Sequence, residues 1–309
     1  MTAAFARRSP AAVAFALATV YIVWGSTYLA MRITDRTIPP LLMSSARFLV
    51  AGSLLYVLTS RGRRPTLREW IASAIVGAAL LGIGNAGVAW AETRLESGLA
   101  ALIVASIPLY VALFDRLFFG RRLSALAAVG LFVGFGGVAL LVRPGGTAHV
   151  GTALVLLATT SAWAGGSVYA RGAPVPANPL LAAAMQMLCA SVLLAIAGFA
   201  AGEAGAVHRD AFGAEPLLAF AFLVVFGSLL AYSAYAWLLK NVRISVVATY
   251  AFVNPVVAVA LGALFLGERI TWTTIVAGTA IVIAVVLTIA AKPTAARRKL
   301  RAQPATLTS

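Results

Sequence analysis

A proline inside a long apolar run occurs twice in this chain of 309 residues, at a fixed spacing. Pro108 lies in the first run and Pro255 in the second, 147 positions later. The same offset aligns Gly120, which follows the first run, with Gly267, which follows the second. Because no gap is needed between the prolines and the glycines, chance is a poor explanation. The chain is therefore predicted to contain two copies of one unit.

The composition restricts where those two copies can fold. Hydrophobic residues make up 61% of the chain, charged residues only 11%, and the mean hydropathy is +0.96. A soluble protein of this composition could not cover its own surface with polar groups. The charges lie in short clusters between apolar runs of about 20 residues, the length of helix that crosses ~30 Å of hydrocarbon. The predicted fold class is an all-α integral membrane protein.

Ten transmembrane helices are predicted, five in each copy. They lie at about 11–31, 39–60, 70–90, 98–119, 124–142, 151–170, 179–199, 216–239, 245–266 and 271–291. The domain organisation that follows is a basic cytoplasmic leader (1–10), a first five-helix repeat (11–143), a second five-helix repeat (151–291) and a basic cytoplasmic tail (292–309).

The repeat extends over all five helices of each copy. At an offset of 139, Trp24 aligns with Trp163, and at 147 Trp90 aligns with Trp237. The offset grows because the loop before helix 8 is longer than its counterpart, and loops absorb insertions more easily than spanning helices. Five crossings per copy bring the second copy into the membrane from the opposite side. The prediction is an inverted-topology repeat.

The positive charges test that topology. With the amino terminus in the cytoplasm, most of the 24 Lys and Arg residues lie at cytoplasmic helix ends. Cytoplasmic loops carry such an excess in membrane proteins, so both termini are predicted to be cytoplasmic. Since the basic residues lie at membrane edges, the net charge of +15 indicates the lipid bilayer as partner and not nucleic acid. The basic residues left on the outer side are Arg32, Arg36, Arg94, Arg143, Arg209 and Arg269.

No metal site, cofactor or internal disulfide is expected. The two histidines, His149 and His208, lie in different predicted loops without a second ligand at metal-site spacing. The single cysteine, Cys189, lies in an apolar run and has no partner for a disulfide.

Several short motifs give this arrangement a resemblance to a known family. They are Trp24-Gly25-Ser26 in helix 1, Arg47-Phe48-Leu49 in helix 2, the two prolines, and Leu266-Gly267-Glu268-Arg269 at the end of helix 9. From about residue 11 to 291 the chain resembles the EamA-like branch of the drug/metabolite transporter superfamily. That resemblance implies an inner-membrane carrier of small metabolites, often an amino-acid exporter, with helices 5 and 10 outside a central cavity. The family pattern often has Gly-Glu after helix 4 as well, where this chain reads Gly120-Arg121.

Inverted repeats place the substrate site near the membrane midplane, where the two copies meet. Polar and aromatic side chains share helix faces at that depth in both copies, with more of them in the second. The same residues could instead join helices or form interfacial belts. The predicted substrate-binding residues are Trp24, Thr27, Tyr28, Arg47, Asn85, Trp163, Ser167, Ser228, Tyr232, Tyr235, Tyr250 and Asn254.

Arg47 is the ionisable residue predicted nearest the middle of a helix, and its repeat counterpart is Gln186. It could bind a substrate carboxylate or tie helix 2 to its neighbours. Pro108 and Pro255 are predicted helix breaks. The backbone carbonyls that they leave without a helical donor could face the cavity, or each proline could only produce a kink that helps the helices pack. The acidic residues nearest the membrane, Glu92, Asp115 and Glu268, are predicted at helix ends, which leaves a buried proton relay without a carrier.

The predicted function is export of small amphipathic metabolites, such as neutral amino acids, by alternating access. There are three alternatives, of which the integral-membrane enzyme belongs to another functional class. A broad efflux carrier for drugs or lipophilic cations would favour a membrane-embedded Glu beside aromatic rings. An integral-membrane enzyme would need clustered His, Asp or Glu at one membrane face. A channel is disfavoured by the inverted repeats and by the unequal polar lining.

Overall fold

The computed structural model describes residues 9–119, 125–142, 149–207 and 213–290, and these residues contain helices and turns but no strand. Most of the predicted leader, the predicted tail, Gly120-Arg121 and His208 lie outside the described residues. The helices are α1 Pro10–Thr34, α2 Pro40–Ser60, α3 Leu67–Glu92, α4 Ser97–Val104 with Ile107–Phe119, α5 Ala125–Val142, α6 Val150–Ala170, α7 Pro179–Ala200, α8 Ala214–Asn241, α9 Ile244–Val247 with Tyr250–Leu266, and α10 Trp272–Ala290.

Seven helices are long and apolar enough to cross a membrane, namely α1 to α4 and α6 to α8. The apolar segments of the other three are shorter, at Ala128–Leu140 in α5, Val253–Leu266 in α9 and Trp272–Ala284 in α10. The described chain is thus an all-helical, multi-pass membrane protein. The ten predicted spans are matched in part, by seven long helices and three shorter ones.

Local sequence signals account for several helix ends. Thr66 begins α3 with a capping box, in which its side chain accepts from Glu69 N–H and the Glu69 carboxylate accepts from Thr66 N–H. Pro179 occupies the first turn of α7, where a missing N–H costs nothing. Gly267 ends α9 with a positive φ of 66°, a left-handed conformation that glycine adopts without strain.

Many of the helix contacts recur when each helix of the first copy is exchanged with its counterpart in the second. Helix α1 packs on α9 and α8, just as α6 packs on α4 and α3. Helix α3 contacts α7, and α8 contacts α2. Three pairs are their own counterparts: α2 with α7, α4 with α9, and α5 with α10. This pattern is that of a pseudo-two-fold arrangement.

Buried side chains form two clusters, one at each end of the bundle. The N-terminal cluster contains Ala16 and Val20 from the start of α1, and the distal cluster contains Met31 from its end. In α6 the order is reversed, since Leu156 near its start is distal and Ala170 at its end is N-terminal. We therefore name the end where α1 begins the N-terminal face and the other end the distal face. Helices α1 and α6 run in opposite directions between them.

The two prolines differ in their effect on the backbone. Helix α4 is interrupted at Ala105 and Ser106, just before Pro108, as predicted for a helix break. Helix α9 instead continues through Pro255, and its interruption lies at Ala248 and Thr249, earlier in the chain. The predicted break at Pro255 is therefore displaced by more than one turn. Pro255 is the sixth residue of its helical segment, so its missing N–H leaves the carbonyl of Ala251, four residues earlier, without its helical donor.

Candidate functional site

Four aromatic side chains meet at the centre of the bundle, and we call them the aromatic cluster. Trp24 of α1 lies edge-on to Trp163 of α6 and to Tyr250 of α9, with ring centroids 5.4 Å away in both cases. Tyr235 of α8 lies 4.9 Å from Trp24 and 5.6 Å from Trp163. These spacings are those of favourable aromatic pairs. Two residues predicted from repeat symmetry, Trp24 and Trp163, are thus in direct contact.

Hydrogen bonds fix the rings of the aromatic cluster. The Trp163 indole N–H donates to the Tyr235 hydroxyl over 3.1 Å, and the Ser167 Oγ lies 2.7 Å from the same hydroxyl. Trp24 donates through its indole N–H to the Gly227 carbonyl over 3.3 Å. The buried Tyr250 hydroxyl has no hydrogen-bond partner among the described residues. A polar group left unpaired in this way is a candidate for contact with a bound solute.

Arg47 lies beside the aromatic cluster and is only 2% exposed. Its Nε donates to the Ser228 Oγ over 2.9 Å, whereas Nη1 has no hydrogen-bond partner in the described part of the chain. A Cβ added to Gly227 would lie 3.1 Å from Thr27 Cγ2 and 3.7 Å from Arg47 Nη2. The guanidinium therefore approaches the glycine whose carbonyl binds Trp24. The positive charge thus lies close to the backbone that holds the Trp24 ring.

A small cleft lies between α3, α7 and α8 near the N-terminal face, and Tyr235 of the aromatic cluster forms part of its wall. Its walls include Gln186 and Tyr232, and the Tyr232 hydroxyl donates to Gln186 Oε1 over 2.6 Å. Lys240, near the end of α8, also lines the cleft and donates to the carbonyls of Pro176 and Ala177. Gln186 is the repeat counterpart of Arg47, so both copies place a polar side chain at this level.

Helices α3 and α8 both widen into π-helix at the same level. The π-helical segments are Ala78–Asn85 and Leu223–Tyr232, and their last residues are repeat counterparts. π-Helical turns occur often at functional sites because they redirect side chains and loosen backbone hydrogen bonding. Tyr232 is thereby turned to Gln186, while Asn85 Oδ1 is buried without a partner among the described residues.

The remaining predicted residues have contacts of a more structural kind. Thr27 Oγ1 donates to the Trp24 carbonyl within α1 over 2.7 Å. Tyr28 is buried in the distal cluster. With its amide nitrogen as donor, Asn254 binds the carbonyls of Tyr21, at 3.0 Å, and Tyr250, at 3.2 Å. In this conformation Asn254 therefore ties α9 to α1.

On the distal face, charged side chains bind the ends of neighbouring helices. The Glu268 carboxylate accepts from Ser97 N–H and Oγ, both at 2.8 Å, at the start of α4. Arg32 donates to the carbonyls of Glu92 and Leu95, where α3 ends. These bonds connect the ends of α9 and α1 to α4 and α3.

Two buried carboxyl groups were missed from the sequence. Glu92, predicted as a helix end at the membrane edge, is 0% exposed. Asp35, in the turn after α1, has both carboxylate oxygens buried. The sequence held one signal for Glu92. A carboxylate at the C-terminus of a helix is repelled by the helix dipole, so an acidic residue placed there suggests a role other than stabilising the helix.

Tyr235→Phe tests the network inside the aromatic cluster. The change leaves the buried Trp163 indole N–H without its acceptor, a cost of about 1–3 kcal/mol in folding free energy. We expect a lower midpoint of thermal unfolding in detergent. Tyr169→Phe is the control, because Tyr169 is 40% exposed. Equal midpoints for the two variants would contradict the network.

The chain is similar along most of its length to known transporters. The model of the EamA-like transporter family matches residues 11–143 and again residues 150–290. A protein of Escherichia coli K12 named uncharacterized inner membrane transporter YedA is 40% identical over 88% of this chain and 89% of its own length. Uncharacterized transporter YvbV of Bacillus subtilis is 30% identical over 84% of this chain and 85% of its own. One solved structure, 20% identical, shares the fold with a TM-score of 0.64, over 90% of this chain and 96% of that chain.

Proposed function

The chain belongs to the EamA-like transporter family, and on this premise we propose that it exports small amphipathic metabolites, such as neutral amino acids, by alternating access. It is a membrane transporter and not an enzyme. The proposed architecture has ten spans in two inverted repeats, 11–143 and 151–291, in the inner membrane. The exchange symmetry of the helix contacts and the opposite directions of α1 and α6 support it.

The observation that carries the proposal is the aromatic cluster beside Arg47. It lies where the two copies meet, with Trp24 from one and Trp163, Tyr235 and Tyr250 from the other. Flat rings with polar edges suit a solute that has an apolar body. The planar guanidinium of Arg47 suits a carboxylate. An amino acid with an apolar side chain offers both groups.

The state of the two faces supports alternating access. Hydrogen bonds of Glu268 and Arg32 join helix ends on the distal face, whereas the small cleft beside Gln186 lies nearer the N-terminal face. By the repeat symmetry, an opposite state would open the distal face and close the cleft. A solute released from the aromatic cluster would then leave on the other side.

Uptake into proteoliposomes tests the substrate class. The panel contains labelled leucine, phenylalanine, a sugar phosphate and tetraphenylphosphonium, a lipophilic cation. We expect saturable uptake of leucine and phenylalanine, and none of the sugar phosphate, because one buried arginine cannot neutralise a phosphate dianion. Transport of neither amino acid would contradict the proposal.

The second candidate is a broad efflux carrier for lipophilic cations. The buried carboxyl of Glu92 favours it, since an embedded acid attracts cations. Arg47 opposes it, because its guanidinium lies beside Gly227, whose carbonyl holds the Trp24 ring, and would repel a cation bound there. Uptake of tetraphenylphosphonium without uptake of amino acids would favour this candidate.

Single cysteines test the proposed orientation, in which both termini are cytoplasmic. Thr66 and Thr93 are exposed residues at opposite ends of α3. In a Cys189→Ala background, Thr93→Cys is expected to react with a membrane-impermeant thiol reagent in intact cells, and Thr66→Cys only after the cells are opened. The reverse pattern would overturn the orientation.

A further inference from the structure

The carboxyl of Glu92 is buried and has no role in the mechanism above. It is the last residue of α3, is 0% exposed, and neither carboxylate oxygen has a hydrogen-bond partner among the described residues. An ionised carboxylate buried in this way loses its hydration without compensation, a cost of several kcal/mol. The end of the helix dipole adds negative potential at the same place.

The nearest cation does not relieve this cost through a direct bond. Arg32 donates to the backbone carbonyls of Glu92 and Leu95, not to the Glu92 carboxylate. Asp35 adds a second carboxyl whose oxygens are buried and have no partner in the described chain. Burial raises the pKa of Asp35 well above its ordinary value, while the Arg32 charge opposes that rise. The site therefore contains more carboxyl groups than cationic side chains that could neutralise them.

Charged and titratable groups of every neighbouring element bear on this pair. Glu268, at the end of α9, is held by Ser97 and Gly98, and Glu203, after α7, by the N–H groups of Leu41 and Leu42. These two carboxylates have their hydrogen bonds satisfied. The groups that act electrostatically on Glu92 or Asp35 are Arg32, Arg47, Tyr28, Glu203 and Glu268.

We propose that Glu92, together with Asp35, is a proton-binding site that must take up a proton from the distal side for the distal face to close. The proposal rests on the alternating access proposed above. When the distal face opens, water reaches the carboxylate and the ionised form becomes the more stable one. When it closes, a proton from the external water binds a Glu92 oxygen and makes the group neutral. Because only the closed state holds this proton tightly, closure is favoured at low pH and is lost as pH rises.

Infrared spectroscopy of the purified protein detects the proton directly. A protonated carboxyl absorbs apart from a carboxylate, so wild type is expected to show a carboxylic-acid band that declines as pH rises. Because Asp35 can also carry a proton, Glu92→Gln is expected to lose the part of that band that Glu92 contributes. The matched control is Glu215→Gln, an exposed acid on the same face that pairs with Arg36 at 4.0 Å. An unchanged band in Glu92→Gln would overturn the proposal.

A second variant keeps the proposal testable if Glu92→Gln does not fold. Asp35→Asn removes the neighbouring acid, whose negative charge makes Glu92 harder to ionise. In the wild type the two coupled acids lose their protons in two steps, and the Glu92 band of the variant is expected to disappear at a lower pH than the second of those steps. A band that titrates as in wild type would count against the site.

Transport separates this proposal from the proposed function. Leucine efflux from proteoliposomes is expected to depend on the pH at the distal side in wild type, and to lose that dependence in Glu92→Gln. If leucine is not carried but the Glu92 part of the band is lost in Glu92→Gln, the proton site stands and the substrate class fails. If leucine efflux keeps its pH dependence in Glu92→Gln, the proton site fails and the substrate class stands.

Discussion

Replacement of Arg47 by methionine is expected to weaken substrate binding by roughly 10- to 150-fold without unfolding the protein. A hydrogen bond to a charged group contributes about 1.5–3 kcal/mol, and every ~1.4 kcal/mol is a factor of ten in affinity. The loss falls on binding because Nη1 is unpaired in the closed state and free to bind a carboxylate. Folding is expected to survive because Arg47 forms no direct ion pair among the described residues, so methionine leaves no buried carboxylate without a bonded partner.

The measurement is leucine transport against concentration, together with thermal unfolding of each variant in detergent. Ser228→Ala is the control, since it removes the hydrogen bond that Arg47 makes inside the protein but keeps the guanidinium. We expect this control to transport far better than Arg47→Met. Full transport by a well-folded Arg47→Met would restrict Arg47 to a structural role.

Trp24→Ala is expected to cost still more affinity, roughly 30- to 700-fold. The change removes a ring that contacts Trp163, Tyr235 and Tyr250, and with it the apolar area available to a solute. Burial of a large apolar side chain and one aromatic contact together contribute about 2–4 kcal/mol. That energy converts to the stated range at ~1.4 kcal/mol per factor of ten.

Trp272→Ala is the matched control for Trp24→Ala. Trp272 begins α10, is 76% exposed and is not part of the aromatic cluster. It is expected to transport like wild type. Trp24→Phe keeps an apolar ring but loses the indole donor to Gly227, and an intermediate affinity is expected. Equal losses of affinity in Trp24→Ala and Trp272→Ala would show that the aromatic cluster is not part of the substrate site.

Much of the fold could be predicted from the sequence because repeats and the lengths of apolar runs can be seen directly in the order of the residues. The offsets that align Trp24 with Trp163 and Pro108 with Pro255 predict two equivalent units, and the symmetric helix contacts agree with that prediction. Helix ends also follow local chemistry, as at Thr66, whose capping box begins α3. The substrate-binding residues remain a prediction, although Trp24, Trp163, Tyr235 and Tyr250 are brought together.

The rest could not be predicted because it depends on packing between helices. The interruption of α9 lies at Ala248 and Thr249, where no proline stands, and the π-helical segments of α3 and α8 have no distinctive composition. Glu92 was predicted at a membrane edge since it ends its helix. Its burial results from neighbouring helices that cover the end of α3, which a single sequence does not show.

Counterflow tests the central claim, alternating access to one buried site, most directly. Proteoliposomes are loaded with unlabelled leucine and then placed in a trace of labelled leucine. A carrier whose site faces one side at a time exchanges the two, so labelled leucine is predicted to accumulate transiently above its external concentration. Uptake that only approaches the external concentration, and that internal leucine does not accelerate, would contradict the account.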